Sequence, residues 1–203
     1  MGFIEVAFLV VVFLYSVVIH EVSHGLVANH LGDSTAKDLG RLTLNPFKHL
    51  DMFGSVLLPL FLVILRSPFV FGYAKPVPYN PLNLSDRKFG PAKVAFAGPG
   101  ANIVLAILFG LLLRFLPFDL QGTALPDLLG LIVKINLLLA IFNLMPVPPL
   151  DGHWLLLAIL PPQFQALRFF ILRYGVILFL VFLFFIFPII FPLINFLFRI
   201  IVG

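Results

Sequence analysis

The sequence lacks cysteine and carries little charge for its length. None of its 203 residues is Cys and only 11% are charged, whereas 61% are hydrophobic; a soluble domain carries about 25% charged residues. The absence of cysteine excludes disulfides and thiolate metal sites. The shortage of charge excludes a soluble globular protein, because a chain of this size cannot hide so much apolar surface from water. The net charge of +4 comes from bases scattered through loops, so we expect no nucleic-acid partner.

Long continuous apolar runs make up most of the chain. A membrane-spanning β-barrel would instead alternate apolar and polar residues, so these runs indicate helices that face lipid. The first run has neither a basic leading region nor a small-residue cleavage site, and we expect a retained helix rather than a signal peptide. The sequence therefore predicts an all-α polytopic membrane protein with about 4–6 membrane segments.

We expect one membrane-embedded domain over residues 1–203. Its predicted parts are a first helix at about 3–31, a loop and apolar segment at 32–90, a second helix at about 91–116, a proline-broken stretch at about 127–160, and C-terminal helices at about 167–203.

In three of these parts the sequence does not decide how the chain runs. The apolar segment 52–72 is interrupted by prolines, so it either spans once or dips in and returns. Residues 37–44 could pair as short strands. At the C-terminal end we expect a fourth span at about 167–187, followed by a short tail that lies at the membrane interface.

The motif HEVSH is the first indication of a catalytic or metal-binding site. His20 and His24 are four residues apart, so a helix places both imidazoles on one face. Two such nitrogens can bind one tetrahedral Zn²⁺, and Glu21 could take a proton from a water at its open position. A polar patch for helix packing is the alternative, but ionisable residues inside a membrane span are functional by default.

A zinc site of this kind needs a third ligand from the protein. Asp151 is the strongest candidate, because it lies in an apolar stretch just after the prolines of NLMPVPPLDG. Its alternative role is to cap the helix that follows. Counted from the nearest loops, His24 and Asp151 both lie roughly 10–15 Å deep, and Asn102 joins the same layer. A shared depth requires residues 52–72 to dip and return, so we expect a re-entrant segment there.

These motifs resemble those of the site-2 proteases, which are intramembrane zinc metalloproteases. HEVSH resembles the family's metal motif, NLMPVPPLDG its second motif, and GPGAN at 98–102 its small-residue motif. The segments GRLTLNPFKHLD and FGYAKPVP resemble the compact bacterial and archaeal branch, without a PDZ or CBS domain.

The resemblance implies a three-helix core around one Zn²⁺ per chain. It implies His20, His24 and Asp151 as ligands, Glu21 as general base, and Asn102 and Asn143 as substrate-binding residues. The substrates would be transmembrane or membrane-associated proteins, cleaved in or near their membrane segments. Besides substrates, membrane lipids are the expected partners, and the oligomeric state is left open.

Access of a substrate to the site raises a further question. A helical substrate must unwind, and its freed backbone groups then need partners. Residues 70–80 could offer an edge for strand addition, or could merely close the site.

Two other classes of function compete with a protease. An ion or proton transporter could use the same polar residues as a relay, although the sequence lacks duplicated halves. An inactive zinc-bearing scaffold would not need Glu21.

The remaining polar residues give weaker signals. We expect His153 to be packed and satisfied, Asn136 to bond a neighbouring helix, and Lys134 to reach toward the interface. Most bases would share one side of the membrane, which should be cytoplasmic in a prokaryotic cell membrane and nearer the active site. They are Lys37, Arg41, Lys48, Lys75, Arg87, Lys88, Lys93, Arg168 and Arg173.

Overall fold

The computed structural model describes residues 2–65 and 72–203, and every regular element in these two ranges is helical. The helices are α1 (Phe3–His30), α2 (Thr35–Asp38), α3 (Leu58–Ile64), α4 (Gly90–Arg114), α5 (Leu125–Asn143), α6 (Gly152–Ile159), α7 (Gln165–Arg173), α8 (Gly175–Val181) and α9 (Phe187–Val202). A π-helical stretch, Met52–Leu57, leads into α3, and a second, Phe182–Ile186, joins α8 to α9.

The short strands considered for residues 37–44 do not form. The chain makes the helical turn α2 instead, and Gly40 ends it with a φ of 62°. The N–H of Arg41 then bonds the carbonyl of Ala36, which closes the turn. A left-handed glycine directly after a helical turn breaks the extended path that a strand would need.

Four helices in the described ranges are long and apolar enough to cross a membrane. They are Ile4–His30, Gly90–Arg114, Leu125–Asn143 and Gly175–Val202. Large apolar side chains are exposed along all of them, as expected of helices that face lipid. The predicted fold class is confirmed: the chain is an all-α polytopic membrane protein.

The fourth span lies further along the chain than the sequence predicted. We expected it at about 167–187 with an interfacial tail, but the helix continues from Gly175 to Val202. Pro188 does not stop it, because the helix passes through the π-helical stretch Phe182–Ile186 and Pro188 lies in the first turn of α9 directly after it. The segment α7 before it is a separate short helix with two arginines.

Helix α4 lies at the centre of the fold and contacts α1, α5, α6 and α9. Small residues such as Gly98, Ala106 and Gly110 are buried along it, which lets neighbouring helices approach closely. At Gly110, a β-carbon would overlap the side chain of Ile201 on α9. The largest buried cluster packs the far side of α4 and α5 against α9, and its members are Ala106, Val133, Leu137, Ile141, Leu150, Phe182, Ile190 and Ile194.

The apolar segment after residue 51 returns to the point where it begins. The N–H of Tyr73 bonds the carbonyl of Gly54 at 3.1 Å, and the hydroxyl of Ser55 bonds the carbonyl of Tyr73 at 2.8 Å. Both ends of the predicted re-entrant segment are therefore joined on one side. Part of that predicted segment, residues 66–71, lies outside the described residues.

The loop ends of α1, α4 and α6 also share one side. The N–H of Ser85, just before α4, bonds the carbonyl of Leu31 at the end of α1. An apolar groove of about 590 Å³ is lined both by Phe89 and Lys93 at the start of α4 and by Ile159 at the end of α6. The loops nearest His24 and Asp151 therefore face the same side, as a shared depth of these two residues requires.

Candidate active site

The motif HEVSH lies in the second half of α1. Its two histidine side chains are buried, at 5% and 8% exposure for His20 and His24. Their ring centroids are 4.7 Å apart and the rings stand almost perpendicular, at 82°. The four-residue spacing thus places both imidazoles on one face of the helix, as the sequence predicted.

Asp151 reaches these histidines from the break between α5 and α6. Its Oδ2 lies 3.1 Å from Nε2 of His20 and 3.3 Å from Nε2 of His24. Asp151 does occupy the N-cap position of α6, but its side chain makes no capping hydrogen bond. The carboxylate therefore faces the histidines instead of the helix end.

Together these three side chains form a group that could hold a metal ion. One ligand atom from each of His20, His24 and Asp151 lies within 4.8 Å of the others. Within the described ranges, no other cluster of His, Asp and Glu meets that criterion. Two imidazole nitrogens and a carboxylate oxygen are a donor set typical of catalytic zinc, which leaves a fourth position for water.

Each histidine is fixed by a hydrogen bond from its other ring nitrogen. Nδ1 of His20 donates to Oδ1 of Asn102 at 2.6 Å, and Nδ1 of His24 donates to the carbonyl of Val94 at 2.7 Å. Both acceptors are on α4. With the proton on Nδ1, each neutral ring has its Nε2 lone pair available for a metal ion held together with Asp151.

Gly98 leaves space beside the two Nε2 atoms. A β-carbon at this position would lie 2.5 Å from Nε2 of His24 and 2.6 Å from Nε2 of His20. Real β-carbon contacts are essentially never this short. The glycine on α4 therefore keeps open the space that a metal ion and its water would need, and the residues present fit zinc.

Glu21 lies next to this group and contacts the segment that crosses over it. Its Oε2 accepts a 2.8 Å hydrogen bond from the backbone N–H of Val77. Val77 belongs to residues 73–80, which we call the covering segment, and all eight of these residues lack regular secondary structure.

Buried polar side chains hold the covering segment near both ends. Nη2 of Arg41 donates to the carbonyl of Lys75 at 2.9 Å, and the Lys75 N–H bonds the carbonyl of His49. At the other end, the N–H of Asn80 donates to Oδ2 of Asp33 at 2.7 Å. Val77 is thus positioned between two anchors.

Asp33 is the more elaborate of these anchors. It is fully buried, and its carboxylate also accepts hydrogen bonds from Thr35 and from Nδ2 of Asn83. Burial by itself would raise the pKa of Asp33, but these hydrogen bonds outweigh it and hold the pKa below the usual range. The pKa of Tyr79 is raised because its side chain is half-buried and the negative charge of Asp151 disfavours its ionised form.

The predicted substrate-binding asparagines lie in different surroundings. Asn102 is wholly buried, and its hydrogen bonds among the described residues are to His20, Ser16 and Asn136. Asn143 is half-buried at the end of α5, where its Nδ2 donates to the carbonyl of Leu139. Their substrate-binding role stays a prediction.

The other histidines lie outside the group that could hold a metal ion. His153 is buried, donates from Nδ1 to the carbonyl of Leu150, and packs against Trp154, as expected of a satisfied histidine. His49 donates to the carbonyl of Thr43, and His30 is exposed at the end of α1. The strand-addition role considered for residues 70–80 stays a prediction, and residues 70 and 71 lie outside the described residues.

The sequence did not predict the partners in two contacts of the site. The bond from Val77 to Glu21 uses a backbone N–H, which every residue except proline carries. The bonds of Asn102 and Ser16 with Asn136 join three helices that are far apart in sequence. The sequence did predict that Asn136 bonds a neighbouring helix, and the structure confirms this.

Comparison with known proteins decides the family. The chain is 36% identical over 179 residues to a Bacillus subtilis (strain 168) protein named "Putative zinc metalloprotease YwhC", with 85% of this chain and 78% of that protein covered. This chain belongs to that family of zinc metalloproteases, of the site-2 protease type.

Two further relatives carry the same kind of name. "Putative zinc metalloprotease Rip2" of Mycolicibacterium smegmatis is 30% identical over 153 residues, which cover 75% of this chain and 57% of the relative. "Putative zinc metalloprotease sll0528" of Synechocystis is 44% identical over 59 residues, 29% of this chain and 15% of the relative. No family model and no solved structure matches the chain.

Family and fold together fix the class of the molecule. It is an integral membrane protein and a zinc metalloprotease, and its buried group of two histidines and one aspartate could bind the metal.

Proposed function

We propose that this chain is an intramembrane endopeptidase that hydrolyses peptide bonds in or near the transmembrane segments of other membrane proteins. The observation that carries the proposal is the position of the metal-binding group. His20 and His24 belong to an apolar helix of 27 residues, which is long enough to cross a membrane. Asp151 joins them from the loop between α5 and α6.

One zinc ion per chain would be held by Nε2 of His20, Nε2 of His24 and a carboxylate oxygen of Asp151. When bound, zinc would acidify a water molecule and polarise the carbonyl of the peptide bond to be cut. The space beside Gly98 supports this assignment, because it lies against both Nε2 atoms.

Glu21 is the general base of the proposed reaction. It follows His20 directly in the chain, and the Val77 N–H holds one of its carboxylate oxygens. Glu21 takes a proton from the attacking water and then passes it to the amine that leaves. Asn143, half-buried at the end of α5, is proposed to donate to the substrate backbone or to the developing oxyanion.

The active site is proposed to lie nearer the cytoplasmic side of a prokaryotic cell membrane. The loop ends of α1, α4 and α6 share one side, and most of the basic residues of the chain are in the segments attached to them. A protease-protection map of the protein in oriented vesicles tests this. Cleavage within residues 32–51 from the outside would contradict it.

A cleavage assay in proteoliposomes tests the proposed reaction. Wild-type protein should cut a co-reconstituted single-span substrate, and Glu21→Gln should abolish cutting while it retains zinc. Unchanged cleavage by Glu21→Gln would remove the general base. Proton-coupled flux through the wild-type protein without proteolysis would favour a transporter and overturn the proposal.

A further inference from the structure

Three buried polar side chains form a hydrogen-bonded network behind His20. Ser16 on α1, Asn102 on α4 and Asn136 on α5 are 4%, 0% and 1% exposed. Nδ2 of Asn102 donates to Oδ1 of Asn136 at 2.8 Å, and Nδ2 of Asn136 donates to Oγ of Ser16 at 3.0 Å. The network thus joins the three helices that surround the site.

Backbone carbonyls fix which end of each amide carries the hydrogens. Nδ2 of Asn136 also donates to the carbonyl of Ile132 at 2.9 Å, and Nδ2 of Asn102 also donates to the carbonyl of Ser16 at 3.3 Å. A carbonyl oxygen can only accept, so neither amide can be reversed without setting two oxygens against each other. Oδ1 of Asn102 must therefore face His20.

An amide oxygen 2.6 Å from Nδ1 of His20 requires a proton on that nitrogen. When the ring is neutral, its lone pair is then on Nε2, the nitrogen that lies 3.1 Å from Oδ2 of Asp151 and that zinc would bind. His24 receives the same constraint from the Val94 carbonyl, which needs no support because a carbonyl is never a donor. Only His20 depends on an amide that has two chemically different ends.

We propose that Asn136 and Ser16 are positioning residues that hold the oxygen of Asn102 toward His20 and thereby set the metal-binding tautomer of its ring. Among the described residues, neither side chain has a hydrogen bond to His20, His24 or Asp151. The Asn136 side chain acts on Asn102, and the Ser16 hydroxyl acts on Asn136. The proposal rests on the proposed function, since it assigns zinc to Nε2 of His20. Its readouts are the tautomer in metal-free protein and the affinity for metal.

The near-isosteric change Asn136→Leu removes the support of the Asn102 amide. ¹⁵N NMR of histidine-labelled, metal-free protein in bilayers should show Nδ1 of His20 protonated in the wild type. In the variant Nδ1 should be partly unprotonated, because the ring can then keep its proton on Nε2, 3.1 Å from Oδ2 of Asp151. The His20 signal is identified by its loss in His20→Gln. Competition with a chelator should show zinc affinity reduced by about 10–100-fold, the range found for outer partners of metal ligands.

Three further variants keep the test decisive. Asn102→Asp retains an oxygen toward His20 and should bind zinc more tightly than Asn102→Leu. Ser16→Ala is a small change that leaves the packing intact. It should lower the affinity for zinc, but by a several-fold smaller factor than Asn136→Leu. Ser23→Ala is the matched control on α1, because its hydroxyl bonds only the carbonyl of Ile19 among the described residues; neither readout should change.

An unchanged tautomer and an unchanged affinity in folded Asn136→Leu would overturn the proposal, as would equal losses in Asn102→Asp and Asn102→Leu. Failure of the proposed function is a separate result. It would appear as absent cleavage by the wild-type protein, whereas the tautomer of His20 is measured without metal and without substrate.

Discussion

The backbone N–H of Val77 donates a 2.8 Å hydrogen bond to Oε2 of Glu21. This contact brings the covering segment, residues 73–80, onto the proposed general base. A hydrogen bond to a carboxylate from a backbone donor fixes its position without adding a titratable group. The covering segment therefore contacts the proposed general base directly.

Replacing Val77 by proline should lower the cleavage rate while zinc content is retained. The substitution removes the N–H that holds Glu21, and a hydrogen bond to a charged group is worth about 1.5–3 kcal/mol. We expect kcat to fall by roughly tenfold or more, with a smaller change in KM. Val77→Ala keeps the N–H and serves as the control. Equal activity of the proline and alanine variants would show that this bond does not position the base.

Replacing Gly98 by alanine should impair metal binding. The added β-carbon would lie within 2.6 Å of Nε2 of both His20 and His24, so at least one ring must move. We expect zinc affinity to fall by at least about tenfold, as for other changes that reorient a metal ligand. Gly100→Ala is the matched control on the same helix, because its β-carbon would meet nothing nearer than 3.4 Å. Normal zinc affinity in Gly98→Ala would contradict the assigned position of the metal.

Replacing Gly152 by alanine should displace Asp151. The new β-carbon would overlap the carbonyl group of Leu144 and lie 2.5 Å from the carbonyl oxygen of Met145. Backbone atoms cannot move aside as a flexible side chain can, so the turn that presents Asp151 must shift. Zinc content measured after purification should drop, whereas Gly122→Ala, whose β-carbon meets nothing within 4 Å, should retain it. Full zinc content in Gly152→Ala would mean that the turn does not hold Asp151 in place.

Acid should release the Asn80 end of the covering segment. Because the folded-state pKa of Asp33 is lowered, its stabilising contribution is present above its ordinary pKa of about 3.9 and is lost as pH falls through the lowered value. The protection factor of the Asn80 amide in hydrogen exchange should therefore fall below about pH 4. In Asp33→Asn, protection should be low and nearly independent of pH. A wild-type protection factor that stays constant from pH 6 to about pH 2 would contradict this.

The sequence predicted the parts of the site that follow from local geometry. His20 and His24 share a face because a helix has 3.6 residues per turn, and Asp151 follows a proline break that ends one helix and lets another begin. The fourth span was misplaced because Pro188 was interpreted as a helix stop, whereas it occupies a first turn that tolerates proline.

Contacts between distant segments could not be predicted from local patterns. Nothing in Ser16 or Asn136 indicates that they meet, because their contact depends on how α1, α4 and α5 pack. The bond from Val77 to Glu21 is a backbone interaction whose partner is set by the anchors at Arg41 and Asp33. Such relationships come from tertiary packing, which determines the surroundings of each polar group.

We propose above all that His20, His24 and Asp151 hold one zinc ion inside the membrane domain. Zinc K-edge X-ray absorption of the purified protein, with metal content per chain, tests it most directly. We predict about one zinc per chain, two imidazole nitrogens at about 2.0–2.1 Å and oxygen ligands at a similar distance, with the zinc lost in Asp151→Ala. A wild-type protein without zinc, or an Asp151→Ala variant with unchanged zinc and an unchanged spectrum, would contradict the account.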